Sequence, residues 1–256
     1  LACHAAPELG GQVGFTSESI ELTNLYFERP TGDLRANLSI GLPASREFLR
    51  FDVRGRNEDI RNTVSSIGAF EAAAAPFSLL LVGQRDGSSI RFDELEFLFG
   101  DARLDANGTL ELGERIERTG FAFDVTVPDM SALGTLGGRN FSAQALALKA
   151  TIDGADGVIR VDDLVATMDG SHLSGSVSYR VGETPYLDVD LQSDRLVFAP
   201  LLEPVEPEEL EYDPEPERED GRLIPDIAVP FDALRALDAD FRLDIAEFER
   251  GELYLY

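Results

Sequence analysis

The chain is predicted to be mainly β: repeated antiparallel strands stacked into an array, with one short helix per repeat. Three observations predict this. The stretch Ile20-Glu-Leu-Thr-Asn-Leu25-Tyr-Phe27 recurs as Ile90-Arg-Phe-Asp-Glu-Leu95-Glu-Phe97, and again as Ile159-Arg-Val-Asp-Asp-Leu164-Val-Ala166. Each copy is followed by a glycine pair, Gly32-Asp33, Gly100-Asp101 and Gly170-Ser171. Elsewhere apolar and polar residues alternate with the period of two that marks strands. A fixed period signals stacked units that bury their apolar faces against their neighbours.

The period divides the chain into a leading segment (1–13), a first unit (14–89), a second (90–156), and a third with the start of the next (157–256). In the first unit Asp59 to Ile67 carries Ile60, Val64 and Ile67 at helical spacing, and Phe77-Ser-Leu-Leu-Leu-Val82 reads as a buried strand. In the second, Gly100-Asp101 suits a tight hairpin turn, because glycine accepts positive φ without steric cost. Phe121-Ala-Phe123-Asp-Val125-Thr-Val127 then puts four apolar groups on one face, with Asp124 and Thr126 on the other. The segment Asp129 to Leu136 opens with a helix N-cap candidate.

The third unit repeats the scheme. Asp169-Gly170 suits a hairpin, and Leu187, Val189 and Leu191 share a face while Asp188 and Asp190 point away. Ser193 to Leu202 takes the place of the helix. Residues 203–220 form an insertion, EPVEPEELEYDPEPERED, in which self-repulsion and proline favour an extended, mobile linker. A fourth helical stretch, Pro230 to Leu237, leads into the alternating Phe241-Arg-Leu243-Asp-Ile245.

Composition narrows the function. The formal net charge of −26 repels phosphate backbones and argues against nucleic acid as a partner. It also argues against broad docking on anionic membrane. The single cysteine, Cys3, excludes an internal disulfide framework. No run approaches the roughly 18 apolar residues of a bilayer-spanning helix. The chain opens without Met and ends inside the alternating Leu253-Tyr-Leu-Tyr256, so it is expected to be a segment of something longer.

Catalytic signals are missing. The two histidines are His4 and His172, and no nucleophile elbow surrounds Ser171 or Ser174 beside the latter. Asp153-Gly-Ala-Asp156-Gly157 and Asp188-Val-Asp190 gather oxygens of the kind calcium prefers, yet neither follows the EF-hand spacing. There is no phosphate loop or dinucleotide fingerprint. The expectation is a protein that is not an enzyme and carries no cofactor or metal. The alternation fits two architectures: a closed sandwich or solenoid with its apolar faces buried against one another, which composition alone favours, or an open sheet with one bare apolar face.

Two passages carry a family resemblance. The segment Asp220-Gly-Arg-Leu-Ile-Pro-Asp-Ile-Ala-Val-Pro-Phe-Asp-Ala-Leu-Arg-Ala-Leu-Asp-Ala-Asp-Phe-Arg-Leu-Asp-Ile245 resembles the segment of bacterial AsmA-family proteins that precedes a long strand. Gly175-Ser-Val-Ser-Tyr179, followed by Leu187-Asp-Val-Asp-Leu-Gln-Ser-Asp-Arg-Leu196, resembles that family's strand-strand passage. The likeness is specific over 157–256, and over 14–156 it rests on the repeat. The family is similar to TamB and to the bridge-like lipid-transfer proteins.

The resemblance implies an elongated, twisted, trough-like sheet, a β-groove. Roughly 13 strands spaced about 4.8 Å apart would make it about 60 Å long. It implies a periplasmic segment, tethered to the inner membrane through a part outside this chain, that shields phospholipid acyl chains on their way to the outer membrane. The implied partners are phospholipid, the two membranes at the ends of the full-length protein, and envelope proteins. Candidate lining residues are Ile90, Phe92, Phe97, Phe99, Phe121, Phe123, Val125, Leu187, Val189, Leu191, Phe241, Leu243 and Ile245. The alternative function is a periplasmic structural or interaction module that regulates outer-membrane assembly without conducting lipid.

Overall fold

The computed structural model describes residues 6–42, 47–63, 66–111, 119–182, 185–197, 201–202, 238–250 and 253–255. The insertion at 203–220 and the helical stretch at 230–237 lie outside the described residues, as do Cys3 and His4.

One sheet of 13 strands dominates. It begins with β1 (Glu8–Phe15), then the hairpin β2 (Ser19–Arg29) and β3 (Gly32–Gly41), then β4 (Phe48–Asn57). The chain leaves the sheet through a single 3-10 turn, Ile60–Asn62, and two short strands, β5 (Ser66–Ile67) and β6 (Phe70–Ala72). It returns as β7 (Phe77–Asp86) and runs on through β8 (Ser89–Phe99), β9 (Ala102–Glu111) and β10 (Thr119–Val127).

A second excursion follows, with a 3-10 turn at Met130–Ala132, β11 (Gly134–Leu136) and β12 (Arg139–Asn140). The sheet continues with β13 (Leu146–Ala155), β14 (Val158–Met168), β15 (Ser171–Arg180) and β16 (Tyr186–Ser193). Beyond them lie β17 (Leu196–Val197), β18 (Asp238–Ile245), β19 (Phe248–Arg250) and β20 (Leu253–Leu255).

Neighbours in the large sheet follow chain order, and every pair is antiparallel except the last. β18 runs parallel to β16, from Tyr186 opposite Asp238 to Ser193 opposite Ile245. The expected run of antiparallel strands therefore ends with a parallel one, and the sheet is mixed. A parallel partner requires the chain between the two strands to return the length of a strand.

The first two expected helices are corrected to single turns. Asp59 accepts from the Arg61 backbone N–H at 3.0 Å, and Asp129 accepts from the Ser131 N–H at 2.9 Å, as N-caps do. Each turn lasts three residues and gives way to short strands. Gly134, at φ 131°, ends the second in a conformation that no helix uses. In the third unit the stretch Ser193 to Leu202 begins as the last residue of β16 and then β17, whose Val197 N–H donates to the Ser171 hydroxyl at 2.8 Å. Among the described residues there is no α-helix, and none long and apolar enough to cross a membrane.

The excursions pair with one another, β6 with β11 and then β12, in a small second sheet. Here the buried core lies. Val127, Met130 and Phe141 are buried, packed by Phe70, Val125, Leu136, Leu146 and Met168. This core covers one margin of the large sheet, where β10, β13 and β14 meet their excursion.

Candidate functional site

Antiparallel partners directly opposite one another point to the same face of a sheet, so the register shows what each face carries. One row crosses all 13 strands: Val13, Leu22, Leu38, Phe51, Gly83, Phe92, Gly108, Phe121, Ile152, Val161, Val177, Val189 and Phe241. Every member is apolar or glycine.

A second row holds Leu25, Ala36, Val53, Leu81, Leu95, Ala106, Phe123 and Ala150, and resumes beyond a bulge as Leu164, Gly175, Leu191 and Leu243. A third runs from Leu9 and Phe27 through Leu34, Gly55, Leu79, Phe97, Leu104, Val125, Leu148 and Ala166 to Leu173. On the opposite flank a fourth joins Phe15, Ile20, Ile40, Leu49, Arg85, Ile90 and Leu110, and resumes as Gly154, Ile159, Tyr179, Leu187 and Ala239.

The sequence-derived candidates thus share one face. Phe92, Phe121, Val189 and Phe241 lie in the first row, Phe123, Leu191 and Leu243 in the second, Phe97 and Val125 in the third, and Ile90 and Leu187 in the fourth. Phe99 and Ile245 sit on the same face further along their strands, opposite Phe77 and Ser193. Alternation along single strands did not find Leu22, Leu38, Phe51 or Leu95. For Leu22 and Leu95 the signal was present in the recurring motif, whose apolar residues are spaced two, three and two apart.

That spacing marks a β-bulge. The register of β2 slips between Leu22 and Leu25, that of β8 between Phe92 and Leu95, and that of β14 between Val161 and Leu164. One extra residue in the strand returns the next apolar side chain to the same face. Asn24 and Asp163 adopt φ of 51° and 52° to make the turn, and Asn24 donates its N–H to the Asn37 side chain at 2.9 Å.

Aromatic rings cluster where strands β7 and β9 contribute glycine. Phe51 and Phe92 flank Gly83, and Phe92 and Phe121 flank Gly108. Their ring centroids are 6.2 Å apart in both pairs, edge to face. Strands two apart are separated by about 9.6 Å, so the rings lean toward each other over the bare glycine backbone.

The other face is polar. One row reads Glu21, Ser39, Arg50, Gln84, Arg91, Thr109, Gly120, Asp153, Arg160, Ser178, Asp188 and Asp240. Arg103 bridges Glu96 at 2.8 Å and Asp105 at 2.5 Å, and Arg91 meets Asp93 at 2.9 Å. These half-exposed pairs add little to stability. The Ser19 and Ser39 hydroxyls donate to the Glu21 carboxylate at 2.6 and 2.7 Å and hold it below the usual glutamate range.

The apolar face lacks the burial of a sandwich core. Among the described residues no large side chain is fully buried, whereas facing sheets interdigitate their inner residues completely. Phe51, Phe92, Phe121, Leu81, Leu95 and Phe123 are all only half-buried. At the two outer strands exposure rises to 76% for Phe15 and 67% for Phe241.

Two open depressions lie elsewhere. One, of about 610 Å³, sits at the β2–β3 turn beside Pro30, Asp33 and Arg56. The other, of about 580 Å³, lies on the polar face around Tyr26, Arg35 and Arg54. His172 lies exposed on β15, with its ring nitrogen 3.4 Å from the Thr167 hydroxyl. Asp156-Gly157 forms the turn between β13 and β14. Among the described residues no group of three or more His, Cys, Asp or Glu is placed to hold a metal.

No family model, no curated protein and no solved structure matches the chain.

Proposed function

We propose that this chain is a periplasmic segment of an inner-membrane-anchored, AsmA-like protein, and that its apolar face shields phospholipid acyl chains in transit toward the outer membrane. The observation that carries the reading is the set of cross-strand rows, apolar over 13 strands and half-buried rather than sealed. An acyl chain of sixteen carbons released into water forfeits about 0.8 kcal/mol per methylene, roughly 12 kcal/mol in all. A continuous apolar strip removes most of that cost without one tight site, so a lipid can slide along it. The leaning of Phe51, Phe92 and Phe121 toward one another is what a face curved inward, as a trough, would produce. The acidic back face keeps such sheets from sticking to one another.

The test is the lipid content of the purified chain. Phospholipid is expected to co-purify and to be released and identified by mass spectrometry. Phe123→Asp places a carboxylate in the second row, where a charge among hydrocarbon costs about 2.5–3.5 kcal/mol. Lipid content should fall by about tenfold or more, with the circular dichroism spectrum unchanged. Undiminished loading in that variant contradicts the proposal.

A second reading, a structural or interaction module, draws on β1. This end strand carries one charged side chain, Glu8, and exposes Leu9, Val13 and Phe15. An edge with so little charge is a template for an added strand. It predicts a stable complex with an envelope protein and no bound lipid.

A further inference from the structure

We propose that Arg85 contacts the phosphate of a phospholipid headgroup, an assignment that rests on the apolar face carrying acyl chains. Arg85 is the sole charged residue in the four rows described above. It stands opposite Leu49 on one side and Ile90 on the other, where an apolar residue would continue the row.

Its bonding differs from that of four arginines on the polar face. Arg54, Arg56, Arg91 and Arg103 each lie within 4 Å of a carboxylate. Among the described residues no carboxylate pairs with Arg85. Its Nε donates to the Gly87 carbonyl at 2.9 Å. That bond fixes the plane of the guanidinium and leaves the two terminal nitrogens to serve an outside acceptor. A forked pair of N–H donors matches a phosphate.

The position suits a headgroup. Arg85 is exposed, beside the Gly87-Ser88 turn, and the buried core lies at the other margin of the face. From Arg85 the same strand presents Gly83, Leu81, Leu79 and Phe77 in succession on this face. Six residues from 85 to 79 span about 20 Å. One leaflet of a bilayer holds its tails in about 15 Å. A lipid with its phosphate at Arg85 therefore lays its tails across all four rows and keeps its headgroup in water.

The experiment offers the 256-residue chain mixed micelles with equal amounts of dioleoylphosphatidylglycerol and dioleoylglycerol. The two share their tails and differ in the phosphate-bearing headgroup. Bound lipid is counted by mass spectrometry after gel filtration. The chain should enrich phosphatidylglycerol about tenfold or more, as expected for charge-assisted hydrogen bonds. Arg85→Gln should bring the ratio near one at unchanged total loading and thermal midpoint. Arg85→Lys, which keeps the charge and loses the fork, should fall between them.

An unchanged ratio in Arg85→Gln, or a ratio near one in the unaltered chain with both lipids bound, overturns the phosphate assignment and leaves the acyl-chain reading standing. Failure of the unaltered chain to bind either lipid overturns both. Inorganic phosphate is titrated separately into lipid-free chain. Tight binding that Arg85→Gln abolishes, without any lipid enrichment, overturns the headgroup assignment in favour of a free anion.

Discussion

Gly83 and Gly108 do more than leave gaps in an apolar row. A Cβ on Gly83 would come within 2.9 Å of the Phe51 ring and against the Arg91 carbonyl, and one on Gly108 would lie 2.6 Å from the Phe121 Cα. Gly108 also holds φ at 147°, which L-residues rarely adopt. The rings close over the backbone because nothing stands between them. Gly108→Ala is expected to destabilise the chain by about 2 kcal/mol or more, read as a lower urea midpoint.

Glu21 makes a separate prediction at this scale. Its folded value is lowered by the Ser19 and Ser39 hydroxyls. Its contribution to stability is therefore complete above the ordinary glutamate range and is lost as pH falls through the lower folded value. Carboxylate NMR should show its midpoint below that of an ordinary glutamate, and Ser39→Ala should move it upward.

At the scale of the element, the bulge in the first strand of each unit ties the sequence repeat to the apolar face. The motif was plain in the sequence, and so was the alternation around Phe121, Leu187 and Phe241, because both are local. The meaning of the two-three-two spacing was less plain. Read as simple alternation it turns Leu95 to the polar face, and only the register returns it to Phe123. Asp163, at φ 52°, makes the bulge in β14. Asp163→Val puts a β-branched side chain into the left-handed region and should cost about 1–2 kcal/mol, whereas Asp163→Gly should not. Paired urea denaturation curves measure both.

The helices were misjudged for a related reason. Ile60, Val64 and Ile67, and the Asp129 cap, carry helix signals in isolation. Pairing between excursions, Phe70 opposite Leu136 and Glu71 opposite Thr135, draws the residues after each turn into strands. Such pairing joins residues more than sixty positions apart and leaves no local trace. The parallel placement of β18 on β16 was illegible for the same reason: Phe241, Leu243 and Ile245 alternate identically in either direction.

For the molecule as a whole, the division between faces outweighs any single contact. Along the described strands, acids such as Asp52, Glu96, Asp105, Asp124 and Asp153 lie behind a sheet whose front is largely hydrocarbon, with Arg85 and Arg29 as charged exceptions. A chain built to fold on itself would cover that front, and among the described residues the buried core covers one margin, around Met130 and Phe141. The claim that hydrocarbon tails occupy the front is tested most directly by cross-linking at adjacent positions of β10. A photoreactive benzoylphenylalanine is placed at Phe123 in one variant and at Asp124 in another, and each is irradiated with radiolabelled phospholipid. The account predicts lipid adducts at 123 and essentially none at 124. Equal labelling at the two positions, or none at 123, would contradict it.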